Sequence, residues 1–259
     1  MPAKMRLSYS KLEQYDRCPR SYYLQHILRM GSKPNFYSAY GSLIHDLLRK
    51  QIQAGGTIAP DSILAQYTAR YEREVTPLTA GFEELTDKYY LEGYDALSYP
   101  LPPYLIGGKI LETEKKRTMP MFSVNFSSII DVLFEDTKGR LVLMDHKSAT
   151  HKSFYGQNGK KKLRQLYIYS DVVRQVYGKF PDMLVFNLFR EDRAVEYPFS
   201  QDGYNETMDW AQTTVDDIIF MTEHCSEDES QWSSCPSPRF FCDTLCDVAD
   251  ECADHVLEV

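Results

Sequence analysis

A chain of 259 residues, 43% hydrophobic and 25% charged, can bury one large core or two small ones. Its net charge of −8 excludes a general coat for nucleic acid, which needs an excess of Lys and Arg to neutralise phosphates. No apolar run approaches the roughly 20 residues that cross a bilayer, and residues 1–10 lack a charged-then-apolar export signal, so no membrane partner and a cytoplasmic location are expected.

The first hundred residues read as helical. Ser8 or Ser10 can cap a helix through Tyr15, and Pro19 suits the first turn of another. Apolar residues at helical spacing predict a helix over 36–53, with two more over 61–74 and 81–98. The pattern then turns to strands at 105–114, 122–134 and 141–145, the last two joined by a turn at 136–139. A helix over 161–176, strands at 183–189 and 194–198, and a closing helix over 204–222 follow. Helices gathered ahead of a compact sheet give a mixed α/β (α+β) class. The tail from Trp232 is rich in Cys and Asp and has no regular period. A single domain is expected over 1–259, with a helical part over 1–100, a core over 101–222 and a cysteine-rich segment over 223–259.

Charge is unevenly spread. Lys147, Lys152, Lys160, Lys161, Lys162 and Arg164 follow one another without an acid, whereas beyond Asp216 the only Lys or Arg is Arg239. A basic stretch on an acidic chain marks either a localised polyanion site or a solvated loop. The six cysteines of an intracellular chain are more naturally metal ligands or buried thiols than disulfides. Cys18 stands alone, while Cys225, Cys235, Cys242, Cys246 and Cys252 crowd the end.

Asp131 ends one strand-like run, and the next delivers Asp145, His146 and Lys147. Hard cations such as Mg²⁺ and Mn²⁺ take carboxylate, carbonyl and water oxygens, so Asp131, Asp145 and the His146 carbonyl would make a half-shell open to phosphate. Lys147 lies two residues after Asp145 and on a strand shares its face, where it can orient water and offset phosphate charge. The plain alternative is a surface hairpin with ordinary charges. Glu114 ends the preceding strand and can add a carboxylate, with Glu112 of the same parity as its competitor. His45 lies on a helix whose other face is apolar, and Gln165 and Tyr169 share a helical face directly after the basic run.

In order along the chain, these residues resemble the RecB-like branch of the PD-(D/E)xK nucleases, which includes the AddB nuclease domain, CRISPR-associated exonucleases and phage exonucleases. Residues 7–12 and 18–24 are similar to the family's opening helix. Gly41 to His45 looks like its G-x-x-x-H, Glu114 and Asp131 its first two acids, Asp145-His146-Lys147 its D-x-K, and Gln165 to Tyr169 its Q-x-x-x-Y. His146 stands where the family often has Tyr, and Ser128 where it usually has Gly. The resemblance implies a restriction-endonuclease-like core sheet flanked by helices. It implies Mg²⁺ or Mn²⁺ held by His45, Asp131, Asp145 and His146, catalysis by Lys147 with Asp131, Asp145 and Glu114, and DNA placed by Gln165 and Tyr169, with Lys160, Lys161 and Lys162 beside them. A 4Fe-4S cluster on Cys18, Cys242, Cys246 and Cys252 is implied as well, with Cys235 as substitute and a four-Cys zinc site as rival. The implied activity is a metal-dependent, exonucleolytic cut of single-stranded DNA or DNA ends, in recombination, repair, phage replication or CRISPR adaptation and beside proteins of those systems. A catalytically idle DNA-end-binding module and a zinc-stabilised interaction domain are the competing readings.

Overall fold

The computed structural model describes residues 5–31, 35–79, 83–234 and 241–252. In chain order the elements are β1 (Arg6–Ser8), α1 (Tyr9–Arg17), α2 (Pro19–Tyr22), α3 (Phe36–Gln53), α4 (Pro60–Glu74), α5 (Glu83–Leu97), β2 (Lys109–Met121), β3 (Val124–Glu135), β4 (Leu141–Lys147), α6 (Gly156–Tyr177), β5 (Met183–Leu188), β6 (Arg193–Pro198) and α7 (Gln201–His224). This is the mixed α/β class that the sequence predicts. Among the described residues no helix is long and apolar enough to cross a membrane. The chain divides into two compact units.

The larger unit comprises residues 36–117 and 128–207. Its strands run in the order β3, β4, β5, β6, with β2 also pairing with β3. β3–β4 and β5–β6 are antiparallel, and β4–β5 is parallel. Every residue of β5 is buried, as is β4 through His146, the pattern of strands covered on both faces. Helix α3 has the boundaries the periodicity predicts, because Phe36, Tyr40, Leu43, Ile44, Leu47 and Leu48 form one apolar stripe. That stripe joins Val132, Phe134, Val142, Met144 and Val185 of the strands in one core, which fixes α3 firmly and so fixes His45.

The smaller unit comprises the described residues of Met1–Asn35, Thr118–Ser127 and Met208–Val259. β1, a strand the sequence pattern missed, pairs in parallel with residues 125–127 of β3. Trp232 is fully buried and anchors the unit: its ring lies 5.0 Å from that of Tyr23, and its Nε1 donates to the Cys225 carbonyl at 2.9 Å. Arg20 donates to the Trp232 carbonyl at 3.1 Å and pairs with Glu229, while Tyr15 donates to Asp217 at 2.6 Å. The irregular tail is thus tied to the N-terminal helices by side chains and by a backbone bond from the Arg20 N–H to the Ser233 carbonyl at 3.0 Å.

Candidate active site

The larger unit holds an open cleft of about 550 Å³ between α3, the strands β2–β4 and α6. Helix α3 brings His45, β2 brings Glu114, β3 brings Asp131, β4 brings Asp145 and Lys147, and α6 brings Gln165 and Tyr169, and all seven line this cleft. One ligand atom each of His45, Glu114 and Asp131 lies within 4.8 Å of the other two. His45 Nδ1 is 3.3 Å from Asp131 Oδ2 and 3.6 Å from Glu114 Oε1, and its Nε2 sits 3.0 Å from the His146 carbonyl. Nitrogen and carboxylate oxygens at this spacing suit a divalent cation such as Mn²⁺ or Mg²⁺.

Beside this cluster a closed triangle forms. Lys147 Nζ is 2.8 Å from Asp145 Oδ2 and donates to Gln165 Oε1 at 2.8 Å, while Gln165 Nε2 donates to Asp145 Oδ1 at 2.7 Å. Strand parity places Lys147 next to Asp145, as expected. The Gln165 amide holds both groups, a task the sequence did not foresee. The His146 backbone N–H donates to Asp131 Oδ2 at 2.8 Å and locks β3 to β4 at the site. Its imidazole turns away to Asn187, 2.9 Å from Nδ1, and burial there holds it well below the ordinary histidine range. The His146 ring is therefore turned from the metal-ligating cluster, and its carbonyl meets His45 Nε2.

Two expectations need correcting. Glu114 does not end a strand, because β2 continues to Met121, and Asp131 lies inside β3, which continues to Glu135. Nor do Glu112 and Glu114 share a face, since Glu114 has φ +50°, a left-handed kink that breaks the alternation. Glu112 is buried instead against Arg117, whose guanidinium it accepts bidentately, and Tyr177 donates to it at 2.7 Å. The pair brackets the kinked Glu114 along β2. Arg117→Met strands a buried carboxylate, so it should cost roughly 3–5 kcal/mol in a denaturant melt and raise the metal concentration needed for activity; Arg117→Lys should keep most of both.

Lys160, Lys161 and Lys162 are not brought into this cleft. Lys160 and Lys161 line another cavity, and Lys162 Nζ lies 5.1 Å above the Phe154 ring. Tyr169 is buried, and burial, then the nearby Asp145 and Asp131, push its hydroxyl above the usual range, so it stays protonated as a donor. Cys18, Cys242, Cys246 and Cys252 line a cavity of about 80 Å³ in the smaller unit, with Ser21, Leu24 and Phe241. Cys18 is buried at the start of α2, its sulfur accepting from the Ser21 N–H at 3.4 Å. Cys235 lies outside the described residues.

Burial disfavours a charged His45, yet Asp131 and Glu114 outweigh it and raise the imidazole to about 9. Burial first, and then the charge of Asp145, raise Asp131. The metal-free cluster therefore holds protons near neutral pH that a cation must displace. Metal affinity should rise with pH up to about 9, by up to about tenfold per pH unit for each proton displaced. Calorimetric titration with Mn²⁺ in two buffers of different ionisation heat should show this proton release; pH-independent affinity without release would overturn it.

A mixed sheet flanked by helices, carrying a His/Glu/Asp cluster beside a D-x-K pair, defines a metal-dependent nuclease. The chain belongs to the PD-(D/E)XK nuclease superfamily, whose family model it matches over residues 6–253. No curated protein matches the chain. Among solved structures it is similar to SSO0001, at 17% identity over 92% of this chain and 96% of that one, with a TM-score of 0.32.

Proposed function

We propose that the chain is a RecB-like deoxyribonuclease, one domain over 1–259, that hydrolyses single-stranded DNA from an end and carries a 4Fe-4S cluster. The triangle of Asp145, Lys147 and Gln165 next to His45, Glu114 and Asp131 carries the catalytic part of this reading. His45, Asp131, Asp145 and the His146 carbonyl would hold Mg²⁺ or Mn²⁺, with Glu114 beside them. Such an ion lowers the pKa of water and counters the charge that builds on a phosphate under attack. Lys147, oriented by Asp145 and Gln165, faces the same space and adds a fixed positive charge for the phosphate and attacking water. Tyr169 donates from the cleft wall. The intact acids and lysine argue against an idle DNA-end-binding module.

Cys18, Cys242, Cys246 and Cys252 fit the cluster because all four line one cavity. Zinc held by the same four thiolates is the rival reading, and metal analysis of protein purified without oxygen separates the two.

Protein purified without oxygen and assayed on end-labelled single- and double-stranded DNA with Mg²⁺ or Mn²⁺ tests the whole. Release of nucleotides from a single-strand end is expected. No cleavage of any DNA with either ion would sink the proposal.

A further inference from the structure

Helix α6 separates the catalytic cleft from a second cavity of about 640 Å³ in the same unit, and the two have no lining residue in common. At about 100° per residue, Lys160, Arg164 and Tyr167 fall on the side of α6 turned away from Gln165 and Tyr169. The volume is within the range of small-ligand sites. Close backbone contacts build its walls. A Cβ at Gly203 of α7 would come within 2.5 Å of the Tyr167 hydroxyl, and one at Gly159 within 2.2 Å of the Phe154 carbonyl. Tyr197 donates to that same carbonyl at 2.5 Å. The space is therefore preformed rather than a gap between loose side chains.

Its lining has three kinds of chemistry. Lys160, Lys161 and Arg164 supply cations. Tyr155, 62% exposed, Tyr197 and Tyr167 supply aromatic surface. Asp202 and Glu206 on α7 supply carboxylate acceptors. A bare anion would use only the first, and a run of phosphates would be repelled by the last. A nucleotide uses all three: its phosphate meets the cations, its ring stacks on a tyrosine, and its ring and exocyclic N–H groups donate to carboxylates.

We propose that this cavity binds one nucleotide of an unpaired DNA strand whose neighbouring phosphates reach the metal cleft. The inference rests on the nuclease reading above and names what that site selects. Arg164 and Gln165 are adjacent in sequence yet line the two different sites, so the sites lie about one helix width, roughly 10 Å, apart. A single strand can turn around such an obstacle by rotating backbone bonds. Duplex DNA, stiff over about 50 nm, cannot. The cavity thus makes unpaired DNA the preferred substrate.

The first test is binding of deoxyadenosine monophosphate to the full chain in EDTA, followed by calorimetry. Saturable binding is expected, and Lys160→Glu with Lys161→Glu should weaken it about tenfold or more by removing charge-assisted bonds. Tyr155→Ala, a change at an exposed position that should leave folding intact, should weaken it by up to about tenfold through lost stacking while leaving the weaker binding of inorganic phosphate unchanged. In cleavage assays the same variants should raise KM for single-stranded DNA several-fold more than KM for duplex DNA, which loses only the general attraction of the two cations. The proposal fails if phosphate binds as tightly as the nucleotide, if neither variant changes nucleotide binding, or if single- and double-stranded DNA lose equally. Asp145→Asn separates this from the nuclease reading, because it should stop cleavage yet bind deoxyadenosine monophosphate in EDTA like the parent.

Discussion

Asp145→Ala should abolish DNA cleavage while the protein remains folded and its content of iron, expected from the proposed cluster, stays at the parent's. Asp145 lies at the junction of both halves of the site. Its Oδ1 accepts from Gln165, its Oδ2 is paired with Lys147, and it lines the same cleft as His45, Glu114 and Asp131. Removing it takes away one proposed metal oxygen and the partner that orients the lysine. Folding should not suffer, because the carboxylate is buried beside Asp131 and its charge helps to raise the Asp131 pKa. Two such groups repel, so losing one should leave the metal-free melting temperature unchanged or higher, the usual signature of a site kept for function at some cost in stability. Lys147→Ala should differ in kind. Metal binding should persist, while the chemical step slows by on the order of 10²–10³, the usual cost of one preorganised charge at a developing anion. Single-turnover cleavage at saturating DNA and metal reads this directly. His45→Ala should shift the metal concentration needed for activity, whereas a purely structural histidine would show itself in thermal stability alone. Parental rates in both Asp145→Ala and Lys147→Ala would place the active site elsewhere.

How much of this was legible in the sequence depended on the range of the signal. Helix α3 was readable to its ends because its stripe of large apolar residues is local and regular. The pairing of Asp145 with Lys147 followed from strand parity alone. Parity failed at Glu112 and Glu114, since Glu114 is left-handed and Glu112 is buried against Arg117 and Tyr177, the last 65 residues away in the sequence and so outside any local pattern. β2 outran its predicted end because three consecutive charges, Lys115, Lys116 and Arg117, look like a loop, yet the two lysines stay exposed on the strand and Arg117 is paired with Glu112. α6 begins at Gly156, five residues before its expected start, because a polar, glycine-containing first turn reads as loop. β1 has only three residues and exists through its pairing with β3, which no local signal foretells. The basic run was visible, but helical geometry divides it: Lys160 and Lys161 line the second cavity while Lys162 covers Phe154.

Cys18→Ser should be the most destabilising single change in the chain. Cys18 is buried, and it is the one proposed cluster ligand from the N-terminal part, whereas Cys242, Cys246 and Cys252 come from the tail. Burial, and then the neighbouring Cys18, Cys242 and Cys252, raise the Cys246 thiol to about 11, so without a bound metal this thiol holds its proton and contributes nothing ionic to the fold. With a cluster they would close a loop of about 220 residues, and closure entropy grows with loop length. Protein purified without oxygen should be brown and contain iron and acid-labile sulfide. Losing even about 4 kcal/mol of ligand-linked stability should lower the melting temperature by roughly 10 °C in a chain of this size. Cys225→Ser is the internal control. Its neighbour Trp232 takes the backbone carbonyl of that residue, not the thiol, so the substitution keeps the contact and should leave colour and melting temperature almost unchanged. Colourless protein with one stoichiometric zinc would replace the cluster with a structural zinc site, and Cys18→Ser melting with the parent would show that no metal bridges the two ends of the chain.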